Sequence, residues 1–348
     1  MTLRSAGALV EAGIVPPGRL AELERVAARY AVSVTPDMAA LIGHENDGIG
    51  RQFVPRAEEL VTAPQERADP IGDAVHSPLP GIVHRYGDRV LLKPLHVCPV
   101  YCRFCFRREV VGPDGEGSLT QDQLDAALAY IADHAALWEV VVTGGDPFLL
   151  SPRRLERIAS ALSVIDHVKV LRFHTRVPTV DPARVSPELI AALKRFGGAV
   201  FVALHANHPA EFTPAARDAI ARLVDAGIPM ISQSVLLAGI NDDAPTLAAL
   251  MRAFVENRVK PYYLHQGDLA PGTAHLRTTI EAGQALMADL RGRVSGLCQP
   301  AYILDIPGGH GKVPIGPGYL AQEAGGGWEV TDPEGRRHVY PPASGSDD

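Results

Sequence analysis

Three times between residues 151 and 214 a hydroxyl side chain stands directly before a proline: Ser151-Pro152, Ser186-Pro187 and Thr213-Pro214. Each pair marks a helix start. The hydroxyl accepts from a free N–H of the first turn, and proline costs little at the first helical position, where its missing N–H has no partner to lose. Thr120 with Gln123 reads as a capping box, and Leu124, Leu128 and Ile131 follow on one helical face. Gly227 stands where the helix begun at Thr213 should stop. Between these helices lie short runs rich in β-branched or aromatic residues, at 89–95, 139–143, 168–174, 199–205, 229–237 and 261–265. Strands alternating with capped helices imply a parallel sheet covered by crossover helices, either open or curled toward a barrel. Such folds carry their chemistry at the C-terminal ends of the strands.

Residues 1–75 differ from this pattern. They carry helical spacings such as Leu20, Leu23, Val26 and Ala27, with proline breaks at Pro16-Pro17, Pro55 and Pro64, and read as a small helical lead-in. The expected organisation is therefore a helical segment at 1–75, an α/β core at 76–320 and a C-terminal tail at 321–348, of which the closing PPASGSDD reads as disordered. Of the 348 residues 46% are hydrophobic, enough for a large core, yet no apolar run approaches a membrane span and the N-terminus lacks a signal-peptide plan. A cytoplasmic enzyme with no membrane partner is expected. The net charge of −7, without any Lys/Arg block, argues against nucleic acid.

Three of the four cysteines crowd into Cys98-Pro-Val-Tyr-Cys102-Arg-Phe-Cys105, just after the first long strand, with Cys298 far away. Three thiolates so spaced can hold three irons of a four-iron cluster and leave the fourth open to a ligand. The competing reading is zinc completed by His96 or Cys298, but zinc sites usually pair their ligands and no second pair exists. One β-α unit later comes Thr143-Gly144-Gly145-Asp146-Pro147, where glycines let backbone approach a ligand, although an ordinary turn uses the same residues. Near the C-terminus, Pro307-Gly308-Gly309-His310-Gly311-Lys312 ends in a lysine. It is not a Walker loop, which needs glycine at Ile306 and Ser/Thr at Val313. A lysine there is either solvated or an imine former for an aldehyde cofactor.

Together these motifs, in this order from about Pro80 to about Tyr319, resemble the lysine 2,3-aminomutase family of radical S-adenosylmethionine enzymes. The resemblance implies an α/β fold, a partial (β/α)6 TIM-like barrel of the radical SAM type behind a small N-terminal helical segment. It implies a [4Fe-4S] cluster on Cys98, Cys102 and Cys105, and S-adenosyl-L-methionine held by Gly144, Gly145, Asp146, His205 and Gln233. It also implies pyridoxal 5′-phosphate as an imine on Lys312, contacted by Arg85, Tyr86 and Arg89. His205 lies in His-Ala-Asn-His-Pro and Gln233 in Gln-Ser-Val-Leu-Leu, both family segments. Arg107 matches the arginine that grips the substrate carboxylate, and Asp268 and Asp305 match the two aspartates that hold the ε-ammonium of lysine.

The implied reaction is isomerisation of L-lysine to β-lysine by 1,2-amino migration, on a small-molecule amino acid and with a reducing donor of flavodoxin or ferredoxin type. Two neighbouring competitors are a short-chain relative making β-lysine for a translation elongation factor, and an aminomutase for another amino acid such as glutamate. Two departures stand out. Phe104 replaces a histidine found in several members. No cysteine follows Cys298, so the zinc-bearing extension that ties subunits together in longer members is not expected, and a homo-oligomer would need another contact.

Overall fold

The computed structural model describes residues 1–111, 117–322 and 326–341. It opens with four short helices, α1 (Ala6–Glu11), α2 (Leu20–Ala27), α3 (Pro36–Leu41) and α4 (Gly50–Phe53). Then comes a nine-stranded sheet in sequential order: β1 (Ile82–Tyr86), β2 (Arg89–Leu95), β3 (Glu139–Gly144), β4 (Val170–Thr175), β5 (Ala199–His205), β6 (Met230–Val235), β7 (Val259–His265), β8 (Ala301–Asp305) and β9 (Lys312–Pro314). Strands β2 to β8 pair in parallel, while β1 and β9 are antiparallel edges. The crossovers contain α5 (Gln121–Asp133), α6 (Pro152–Ser163), α7 (Val177–Val180), α8 (Pro187–Leu193), α9 (Pro214–Asp225), α10 (Ala244–Glu256) and α11 (Ile280–Arg293). Sequential parallel neighbours joined by helices curl into a half-barrel with the helices outside.

The caps act as the sequence implies. Ser151, Ser186 and Thr213 accept from the N–H groups of Arg154, Leu189 and Ala216, and Thr120 and Gln123 bond reciprocally. Helix α9 ends at Asp225, and Gly227 takes φ +83°, a left-handed turn that glycine enters without Cβ strain. Because strand side chains alternate, Val90, Leu92, Val140, Val142, Leu171 and Phe173 face outward. They pack on Leu124, Ile131, Leu155, Ile158 and Leu162 of the helices. The intervening positions, among them Arg172, His174, His205, Gln233, Tyr263 and His265, face the barrel interior.

Several elements depart from expectation. Strand β4 starts at Val170 because Val168 N still closes a turn on Ile165 O. Strands β1, β8 and β9 lie in stretches where the sequence marked no strand. A separate sheet of β10 (Leu320–Gln322), β11 (Trp328–Thr331) and β12 (Arg337–Tyr340) occupies most of the stretch read as a tail. Its strands are short and mostly exposed, so they lack the apolar runs that mark a core strand. Residues 342–348 of the closing PPASGSDD lie outside the described residues. Among the described residues no helix is long and apolar enough to cross a membrane.

The N-terminal helices hold the loop after β2. Ser33 Oγ donates to Pro99 O at 2.8 Å, Tyr101 N to Ser33 O at 2.9 Å and Arg103 N to Gln52 O at 2.8 Å. Glu59, with no exposed side chain, accepts from Arg103 Nε at 2.9 and 3.0 Å, from Arg103 Nη2 at 2.5 Å and from Arg108 Nη2. Burial pushes the Glu59 carboxyl upward, but the two guanidiniums outweigh it and hold it below its ordinary range. Removing the charge of Glu59 strands two buried cations, and breaking a buried pair costs about 3–5 kcal/mol. Glu59→Gln should therefore lower unfolding stability by about that much in chemical denaturation; a variant as stable as the wild type would contradict this bracket.

Candidate active site at the strand ends

Leaving β2 at Leu95, the chain enters the loop of Cys98, Cys102 and Cys105, all partly shielded. Burial and mutual proximity push the thiols up, Cys105 to about 11, so without metal they stay neutral. Among the described residues no three His, Cys, Asp or Glu side chains converge on one ion-sized point. Thiolates that each bind a different iron of a cluster do not need to converge in that way. Cys298, offered above as a zinc ligand, is buried in the outer core before β8 and belongs to the packing there.

At the end of β3 the glycines serve the chain itself. A Cβ on Gly145 would lie 2.3 Å from Val97 O, and one on Gly144 2.6 Å from Leu95 O. Gly145 N donates to Leu95 O at 2.7 Å and Asp146 N to Val97 O at 2.9 Å. The amides of Gly145 and Asp146 are thus used to dock the loop of the three cysteines. The carboxylate of Asp146 is also engaged, accepting from Thr175 Oγ1 at 2.6 Å, Arg176 N at 2.7 Å, Phe148 N at 3.0 Å and Val177 N at 3.2 Å. Carbonyl oxygens of this turn are what it can still offer a ligand.

His205 closes β5 beside Gln233 of β6, its partner in register. Burial pulls the imidazole down to about 3, so it is neutral, and its Nε2 is buried without a hydrogen-bond partner. An orphaned donor or acceptor of this kind fits a polar ligand. Phe104 lies against it, ring centres 5.5 Å apart, and packs on Leu237, Ile240 and Leu276. The site thus pairs an apolar wall with one free imidazole nitrogen.

On the far side of the barrel, β8 and β9 bring the lysine motif home. Asp305, at the buried end of β8, is the register partner of Lys312. Its carboxylate accepts from Lys312 Nζ and from Arg85 Nη1 at 3.0 Å. Lys312 N donates to Tyr86 Oη at 2.9 Å, and Gly311, at φ +93°, would place a Cβ 3.1 Å from the same oxygen. Glycine at 311 thus lets the backbone approach the Tyr86 hydroxyl without a Cβ between them. Arg89 stacks on the Tyr86 ring at 3.7 Å and pairs with Asp88, one step removed from the lysine.

Asp268 lies in the loop after β7. Burial pushes its carboxyl up to about 7; Lys312 opposes the rise and Asp305 adds to it. Arg107 donates from Nε and Nη2 to Asp73 at 3.1 and 2.9 Å. Asp73, absent from the expected set, comes from the N-terminal segment and also faces Arg85 at 3.5 Å and Lys93 at 3.6 Å. His174 and His265 face the interior near Lys312, held neutral chiefly by burial. No motif in the sequence flagged these three. A cavity of about 840 Å³ is lined by Asp73, Lys93, Phe106 and Arg107, while His174, His265 and Lys312 lie outside its lining.

Residues 92–251 match the model of the radical SAM superfamily. Over 294 residues the chain is 41% identical to an L-lysine 2,3-aminomutase of Acetoanaerobium sticklandii, covering 84% of this chain and 70% of that protein. The chain belongs to the lysine 2,3-aminomutase family. A protein of that name from Escherichia coli is 36% identical, over 78% of this chain and 79% of its own length. A glutamate 2,3-aminomutase of Clostridioides difficile is 34% identical, over 86% of this chain and 71% of its own length. The chain is accordingly an enzyme of the isomerase class on the radical SAM half-barrel, a family that uses a [4Fe-4S] cluster and S-adenosylmethionine.

The loop geometry gives a direct expectation. Cys98→Ala, Cys102→Ala, Cys105→Ala and Gly145→Ala should each lose iron and the broad iron–sulfur absorbance after anaerobic reconstitution, and Cys298→Ala should keep both. An iron-free Cys298→Ala protein, or a fully loaded Gly145→Ala protein, would contradict the assignment.

Proposed function

We propose that this enzyme converts L-lysine to β-lysine by moving the α-amino group to the adjacent carbon, with pyridoxal 5′-phosphate on Lys312. The observation that carries the reading is the pairing of Asp268 and Asp305 beside Lys312, where burial and mutual repulsion hold Asp268 up to about 7. Two carboxylates in such a place gain most from a cation between them. A terminal ammonium supplies it, whereas the side chain of glutamate would add a third negative charge.

The chain's own groups divide the work. Lys312 Nζ already rests on the Asp305 carboxylate, the contact a substrate ammonium would take over with Lys312 holding the cofactor. Tyr86 and Arg89 offer a stacked aromatic and cationic face, and Arg85, tied to Asp305, adds a second guanidinium suited to a phosphate. Arg107 holds the carboxylate of Asp73 through its fork, the same chemistry it would offer an α-carboxylate. His205 and Gln233 line the side toward the cluster, where S-adenosylmethionine would lie. Pyridoxal phosphate, held by Lys312, Tyr86, Arg85 and Arg89, would supply an electron sink for the reacting carbons of the substrate. A low-potential donor of flavodoxin or ferredoxin type would reduce the cluster, and reduced thiols suit a cytoplasmic setting.

Anaerobic incubation with S-adenosylmethionine, pyridoxal phosphate, dithionite and a panel of amino acids tests the proposal: β-lysine from lysine supports it, and turnover of glutamate but not lysine overturns it. Borohydride should trap the cofactor on Lys312 and lose it in Lys312→Ala, as peptide mapping would reveal; label on another lysine contradicts the role.

The acid pair also sets a pH dependence. Below about 7 Asp268 is largely protonated and offers no charge, so kcat/KM for lysine should rise as pH climbs through that range. A bound ammonium favours the ionised form, so the inflection in kcat should lie lower. Asp268→Asn should flatten the kcat/KM rise and lower its plateau roughly tenfold to hundredfold, the worth of a hydrogen bond to a charged group. An unchanged profile in that variant would remove Asp268 from substrate binding.

A further inference from the structure

Arg176 follows β4 and is 6% exposed, yet no part of the reaction outlined above uses it. Its guanidinium is fixed on several sides. The backbone N–H donates to Asp146 at 2.7 Å. Nη2 donates to Gln52 Oε1 at 2.5 Å and to Glu211 Oε2 at 2.9 Å. The plane lies over Phe53 at 4.7 Å and near Phe104 at 5.5 Å. Glu211 is itself buried and held by the N–H groups of Asn207 at 2.8 Å and His208 at 3.0 Å. What this clamp leaves is Nη1, which donates to Cys102 Sγ at 3.0 Å, and Nε, which is buried without a partner.

We propose that Arg176 sets the reduction potential of the cluster. The inference rests on the cluster assignment alone and not on the substrate or pyridoxal phosphate. Reduction adds one electron to the cluster, taken from an external reductant such as dithionite, and so adds one negative charge beside Cys102. A desolvated guanidinium donating to a ligand sulfur stabilises that added charge more than it stabilises the oxidised state, and hydrogen bonds to sulfur and net local charge both move such potentials. Glu211 acts in the opposite sense, offsetting part of the cation's field while aiming its fork. Arg176 is thus a positioning and electrostatic residue acting through Cys102.

The test uses the full chain, reconstituted anaerobically with iron and sulfide and without substrate or pyridoxal phosphate, in a redox titration followed by electron paramagnetic resonance. Arg176→Gln should retain iron, move the midpoint to more negative potential and alter the signal of the reduced cluster. At fixed ambient potential its reduced-to-oxidised ratio should fall roughly tenfold to hundredfold, the worth of a hydrogen bond to a charged group. Arg176→Lys should fall between that variant and wild type. Glu211→Gln, which leaves the cation uncompensated, should move the midpoint the other way. A fully loaded Arg176→Gln protein with the wild-type midpoint and signal would overturn the proposal. If the arginine variants bind no iron, Glu211→Gln decides: a more positive midpoint supports the proposal, and an unchanged or more negative one overturns it.

Discussion

A loop without regular structure can keep three cysteines in place only if something stiffer grips it, and here a buried carboxylate is the charged centre of that grip. Glu59 takes both Arg103, which sits inside the cysteine motif, and Arg108, which follows it. That contact couples the N-terminal helices to the loop after β2, and Gly145 docks the same loop on the end of β3. Asp146 then ties β3 to β4, and Arg176 ties β4 to Glu211 and Gln52. The position of the cysteine loop is thus determined by charges shared among segments far apart in sequence. Each of these groups would be costly to bury alone and becomes tolerable only because its partners arrive together.

The barrel's other half follows a similar electrostatic logic with a different purpose. Asp305 is held between Lys312 and Arg85, and Asp268 stands close enough for burial and its neighbours to keep it near neutrality. Arg107 and Asp73 form the complementary pair toward the cavity. A zwitterion with a second ammonium matches this layout of one cationic fork and two acids. The arrangement also suits the proposed role of Lys312 as anchor, since its ammonium and that of a lysine substrate would compete for the same carboxylate.

Much of the fold was legible because local signals were strong and agreed with one another. Serine and threonine before proline marked helix starts that the structure uses as caps, and the β-branched runs between them became β2 to β7. The edges were harder to read. Strand β1 is half of a hairpin closed at Gly87, and β9 emerges from a glycine-rich run, so neither carries an apolar pattern. The cysteines drew notice through their spacing, and Lys312 through the likeness of its segment to a family motif. Asp73, Arg176, Glu211 and Glu59 were not, because each is an ordinary charged residue whose meaning comes from a distant partner. Arg176 meets Gln52 across 124 positions and Arg103 meets Glu59 across 44. At Gly145 and Asp146 the motif was visible, but its amides and carboxylate bind the protein itself.

In the proposed reaction, nitrogen moves between adjacent carbons of one lysine molecule within this barrel. Lysine labelled with 15N at its α-amino group and uniformly with 13C, incubated anaerobically with the reconstituted enzyme, reads that event directly by carbon–nitrogen coupling. The account predicts product in which 15N is bonded to C3 and C2 carries only hydrogen. Label that remains on C2 after full incubation, or leaves as free ammonia, would contradict it.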